Sequence, residues 1–134
     1  MRYFYRLIEE DGALTVEFPD LPQIITYGHT EDEARFNAEE ALNGALSSDV
    51  ARGFLPPDPV YMEGYPAEVA PHIQVAIQLR RLRGNTSQSE IAARLGIAYQ
   101  SYQKLENPVK GNPTIKTLDR VARVMGKRLE VEIV

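Results

Sequence analysis

The chain has 134 residues, 43% apolar and 25% charged, with no cysteine and two histidines. That composition sustains a packed core. It excludes disulfides, thiolate metal sites and cysteine nucleophiles, and with only His29 and His72 no histidine-rich metal centre is expected. The net charge of −4 is unevenly spread: residues 1–65 hold 13 acids and 4 bases, net −9, while residues 66–134 hold 6 acids and 11 bases, net +5. The second half therefore suits a polyanion, and the first a basic protein or no partner at all.

No run approaches the roughly 20 apolar residues of a membrane span. Met1-Arg2-Tyr3-Phe4-Tyr5 has no signal-peptide layout. A cytoplasmic protein without membrane contact is expected.

In chain order, Tyr3 to Ile8 and Leu14 to Phe18 are predicted strands. Glu10-Asp11-Gly12 between them is a turn, giving a hairpin. Leu14, Val16 and Phe18 alternate with Thr15 and Glu17, so one face is buried and one is wet. Pro19-Asp20-Leu21-Pro22 reads as a rigid, strand-ending turn, and Ile24 to Tyr27 as a third strand. Thr30 and Glu33 then form a capping box, expected to satisfy two amides reciprocally. It opens a helix to Leu46 whose stripe is Ala34, Ala38, Ala41, Leu42, Ala45 and Leu46.

Pro56, Pro57, Pro59, Pro66 and Pro71 interrupt the next segment. A short edge strand over Val60-Tyr61-Met62-Glu63 fits between them. The expected division is an α+β domain over residues 1–65, a Pro-containing linker over 66–71 and a helical domain over 72–134, with the proline-rich 56–71 stretch a semi-rigid spacer that carries few contacts.

Four helices are predicted in that second part: His72 to Arg83, ended by Gly84; Ser87 to Leu95, opened by a second capping box with Glu90; Ala98 to Asn107, stopped by Pro108; and Thr114 to Met125, with Gly126 beyond it. On the last of these, Ile115, Leu118, Val121, Ala122 and Met125 share a face. Leu129, Val131 and Ile133 alternate with charges as a terminal strand.

Gln88 to Leu105 fits a helix-turn-helix at each constrained position. Ile91 and Leu95 face the core. Ala92 is small where two helices approach. Gly96 supplies a left-handed turn residue. Tyr102 and Leu105 anchor the inner side of the following helix. Its outer side is then Tyr99, Gln100, Gln103, Lys104 and Asn107, of which Gln and Asn suit adenine edges and Lys suits guanine or phosphate. Gln88 and Ser89, opening the preceding helix, suit phosphate contact. Ala98 is a poor helix cap. No catalytic set is expected. A two-metal nuclease needs clustered carboxylates, and most acids of the 30–46 helix lie opposite its apolar stripe.

Phe18-Pro19-Asp20-Leu21-Pro22, then Thr26-x-Gly28-x-Thr30-x-x-Glu33-Ala34 and Glu40-Ala41-Leu42, followed by a helix-turn-helix, resembles the HicB antitoxin family along essentially the whole chain. Gln23 departs from the glycine usual there. The resemblance implies a truncated ribonuclease-H-like β-β-β-α-β domain followed by an all-α helix-turn-helix domain with a C-terminal β-strand. It also implies an antitoxin that neutralises a HicA-type mRNA-cleaving toxin and represses the shared operon by binding operator DNA, without cofactor or metal. A homo-oligomer, dimer or dimer of dimers, is expected, with the fourth helix and the strand Arg128 to Ile133 as candidate dimer elements, that strand pairing either between chains or back onto its own domain. The alternative is a stand-alone helix-turn-helix regulator whose N-terminal domain senses a ligand or dimerises.

Overall fold

The computed structural model describes residues 1–134. Strands β1 (Arg2–Glu10), β2 (Ala13–Glu17) and β3 (Ile25–Gly28) precede helix α1 (Glu31–Ala51) and strand β4 (Tyr65–Glu68). Helices α2 (Pro71–Arg83), α3 (Gln88–Leu95), α4 (Tyr99–Leu105) and α5 (Ile115–Val124) follow. The α+β domain followed by a helical domain is therefore observed. The four strands form one sheet, order β3-β2-β1-β4, antiparallel throughout.

One sheet face carries Tyr3, Tyr5, Val16 and Ala67 beneath α1, whose Ala34, Ala38, Leu42, Leu46 and Val50 recur every fourth residue and are buried. Val50 extends this stripe one turn beyond the Leu46 limit expected from sequence. The small Ala34 brings the helix close to the sheet. A Cβ on Gly28 would lie 2.4 Å from the Ala34 backbone nitrogen, so glycine is required there. Thr30 caps α1 through Glu33 N–H at 3.1 Å, and Ser87 caps α3 through Glu90 N–H at 3.1 Å. In each box only this one bond forms. Glu90 pairs instead with Arg94 at 2.6 Å.

The other sheet face is not covered by a helix. Cross-strand pairs Arg6–Glu17, Glu17–Ile25, Thr15–Tyr27 and Phe4–Pro66 lie on it. Ile25 is 79% exposed and Tyr27 56%.

The edge strand lies at Tyr65–Glu68, not at Val60–Glu63. The Asp20 carboxylate accepts hydrogen bonds from Val60 N–H at 2.8 Å and Tyr61 N–H at 2.9 Å, fixing those residues in the loop. Gly64, with φ +93°, then passes under the Tyr5 carbonyl. Pro66 is tolerated because an edge strand can spare a donor.

The 56–71 stretch is thus no spacer with few contacts, and its 66–71 part is no linker. That part holds the rest of β4 and the start of α2, and the proline-rich loop before it is anchored. The Tyr3 hydroxyl donates to the Pro57 carbonyl, and Arg81 pairs with Asp58 at 3.0 Å. Helix α2 serves two cores. Ile73, Ala76 and Ile77 complete the cluster under the sheet, whereas Leu79 joins Ile91, Ala92, Leu95, Tyr102 and Val121 in the second.

Two details at the C-terminal end differ from expectation. Ile115 is exposed rather than facing the core. Residues 127–134 form no strand and pair with neither edge of the sheet. Leu129 lies in a groove between α2 and α5, while Ile133 is 96% exposed.

Candidate nucleic-acid interface

Helices α3 and α4 meet through the small Ala92 and the buried Ile91, Leu95 and Tyr102. Gly96 turns the chain between them in the left-handed region, φ 71° and ψ 30°, where a Cβ is disfavoured. Ile97 N–H returns to the Ala92 carbonyl at 3.1 Å, and Arg120 of α5 donates to the Leu95 carbonyl at 2.8 Å. The Ala92, Ala93 and Leu95 carbonyls at the α3 terminus are thus satisfied, which restrains the turn between the two helices. Ala98 precedes α4 without a side-chain cap, as its identity predicts.

The seven residues singled out for DNA do not all stand alike. Gln100 and Lys104 are exposed on α4, and Ser89 is exposed in the first turn of α3. Gln103 donates to the Tyr99 hydroxyl at 2.9 Å. That hydroxyl faces the Gln88 side-chain oxygen at 3.5 Å. Gln88 itself donates to Glu106 at 3.2 Å. Tyr99, Gln103 and Gln88 therefore form a tethered row that spans α3 and α4. Asn107 is half-buried, and its Oδ1 accepts from Val109 N–H at 3.0 Å and Lys110 N–H at 3.2 Å. That oxygen shapes the loop after α4.

Beneath the row lies a buried ion pair that sequence reading missed. Arg83 Nε donates to Glu106 Oε2 at 2.7 Å and its Nη2 to Oε1 at 2.9 Å, and Nη1 reaches the Thr86 carbonyl at 2.8 Å. The two side chains are only 10% and 4% exposed. Burial works against the charge on Glu106, but hydrogen bonding, led by Arg83, outweighs it and holds the carboxyl below its usual range. This pair ties the end of α2 to the end of α4. Its only trace in the sequence was an arginine in the last turn of one helix and a glutamate closing another.

The outer face of α4 also forms one wall of a cleft of about 510 Å³. Gln100, Gln103 and Lys104 line that wall, and the other wall is the end of α1 with Arg52, Phe54 and Leu55. No cluster of His, Cys, Asp or Glu suited to a metal ion occurs in the chain, and no helix is long and apolar enough to cross a membrane.

Comparison with known proteins agrees with this geometry. Residues 77–131 match the helix-turn-helix family model. Residues 4–79 match the model described as the HicB-like antitoxin of bacterial toxin–antitoxin systems. The two matches meet within α2. Antitoxin HicB 2 of Photorhabdus laumondii subsp. laumondii is 29% identical over 135 residues, covering 98% of this chain and 95% of the relative. Antitoxin HicB 1 of the same organism is 28% identical over 127 residues, covering 92% and 81%. With the sheet, α1 and most of α2 inside one match and the remaining helices inside the other, the chain belongs to the HicB-like antitoxin family, in the form that carries a helix-turn-helix.

Proposed function

We propose that the chain is the antitoxin of a type II system: it binds and neutralises a HicA-type mRNA-cleaving toxin and represses its own operon through sequence-specific DNA contacts. It acts in the cytoplasm by binding and not by catalysis. The observation that carries this reading is the joining of an antitoxin-family domain to a helix-turn-helix whose Gln100 and Lys104 point outward with no partner in the chain.

On this reading residues 1–65, completed by β4 and α2, bind the toxin, and residues 72–134 bind DNA and hold the oligomer together. The uncovered sheet face fits the first task. It combines exposed apolar Ile25 and Tyr27 with the acidic surroundings of a −9 half, which suits a basic partner that also has an apolar contact. In the second task Gln100 and Gln103 read base edges, with Gln103 aimed by Tyr99, while Gln88, Ser89 and Lys104 hold phosphates and Asn107 shapes the loop beside them. Two copies are needed to read a palindrome. The unpaired 127–134 segment, with Val131 and Ile133 exposed, supports pairing between copies.

The test is an RNA-cleavage assay with a HicA-type toxin, sought as a small basic reading frame beside the gene of this chain. Wild-type chain should protect the RNA and Ile25→Arg should not. Protection by neither would leave a DNA-binding regulator without an antitoxin role.

A further inference from the structure

We infer that Arg52, in the antitoxin-family part of the chain, is a DNA-contacting residue: with Arg80, Lys104 and Lys110 it lines a cleft that takes the sugar-phosphate backbone of the duplex read by α4. The inference rests on the DNA-binding reading proposed above and extends it across the domain boundary.

The cleft lies between the end of α1 and the α4 face, and those four cations come from the α1 terminus, α2, α4 and the loop after α4. Its only lining carboxylate is Glu106, which is already held by Arg83. Arg80, Lys104 and Lys110 have no acidic partner in the chain. Arg52 meets only Asp49, at 2.7 Å in an exposed pair, and lies over the Phe54 ring with its guanidinium carbon 5.5 Å from the centroid. An exposed pair of this kind is worth little and is readily exchanged.

A protein of net charge −4 therefore concentrates four cations on one concave surface. Low-dielectric walls focus such a field. The ligand is a polyanion, and the bidentate fork of arginine suits phosphate oxygens. A basic protein partner is repelled from the same surface. Of the four bases in residues 1–65, Arg2, Arg6 and Arg35 pair with Glu68, Glu17 and Glu31 away from the cleft, and only Arg52 lines it.

The experiment uses the full-length chain and two probes: duplex DNA from the region immediately upstream of its own gene, and a random-sequence duplex. Binding constants are measured against salt concentration for Arg52→Ala, Arg52→Lys, Lys104→Ala and Arg35→Ala, the last at the opposite end of α1. Loss of one phosphate contact lowers the log–log salt slope by about 0.9. For Arg52→Ala, the advantage of wild type should accordingly shrink by about 3.5-fold between about 50 and about 200 mM salt, equally on both duplexes. Arg52→Lys should retain most of the slope, and Arg35→Ala all of it. If Lys104→Ala lowers the slope and Arg52→Ala does not, the inference is overturned while the DNA-binding reading stands. If neither changes it, the inference is overturned and the phosphate role of Lys104 falls with it; absence of binding by the wild-type chain to either duplex would overturn the DNA-binding reading itself. Tighter binding by Arg52→Ala would show that this loop obstructs α4, which also overturns the inference.

Discussion

Arg83, the last residue of α2, grips Glu106, the residue that closes α4, through two parallel hydrogen bonds of 2.7 and 2.9 Å. Replacing Glu106 by Gln leaves the guanidinium buried without its counter-charge, which should cost about 3 kcal/mol. Replacing both residues by apolar ones of similar size should recover most of that loss. Urea unfolding of the single and double variants measures both effects.

The same pair sets an acid limit. The folded-state pKa of Glu106 is depressed relative to the unfolded chain. Its contribution is therefore complete above the unfolded value, about 4.3, and is lost as pH falls through the lower folded value. Thermal unfolding from pH 7 to pH 3 should show wild type losing its advantage over Glu106→Gln below about pH 4.3. A constant difference across that range would contradict the assignment.

Asp20 accepts two loop amides, so Asp20→Ala removes two hydrogen bonds to a carboxylate, leaves the part-buried Tyr61 N–H without its acceptor, and should destabilise the chain by about 1–3 kcal/mol. Hydrogen exchange should quicken at Val60 and Tyr61 before it changes in α1. Unchanged protection at both amides would show that the loop is held by other means.

Asn107→Ala should act through the loop after α4. The loss of two side-chain acceptances should lower stability by about 1 kcal/mol, with base preference kept. By contrast, Gln100→Ala and Gln103→Ala should each reduce preference for the cognate duplex by about 1–3 kcal/mol. If Asn107→Ala abolishes preference at full stability, its side chain reads bases after all.

A fragment of residues 1–65 should fail to fold cooperatively, because Ala67, Val69, Ile73, Ala76 and Ile77 belong to the core under the sheet. A fragment ending at Gly84 retains all five and should fold. Circular dichroism melting curves of the two fragments separate these outcomes.

The helix-turn-helix was legible in the sequence because several constraints coincide within 18 residues: small Ala92, left-handed Gly96 and apolar Ile91, Leu95 and Tyr102. The first helix was legible through its Thr30 cap and its fourth-residue stripe. Misplacement of β4 had a specific cause. Val60 and Tyr61 have the intrinsic preference for a strand, but a carboxylate 40 positions earlier claims their amides, and local propensity does not register so distant a partner. Both capping boxes mark true helix starts, yet the glutamate half depends on competing partners such as Arg94. The basic cleft was invisible for the same reason as the ion pair: its residues come from elements far apart in the chain.

Because α2 is embedded in both cores, exchanging DNA-binding modules within this family is a problem of helical phase. A chimera joined inside α2 with one residue too many would rotate everything downstream by about 100° and advance it by about 1.5 Å. With the seam after Leu79, that side chain would turn away from Ile91 and Tyr102; with the seam before it, the whole helix-turn-helix module would turn away from the sheet and α1. A seam at Gly84, where the backbone leaves the helix at φ 55°, keeps α2 with its sheet but hands the incoming module a foreign first helix. Successful recombinants should therefore carry insertions of whole turns in α2, three or four residues at a time.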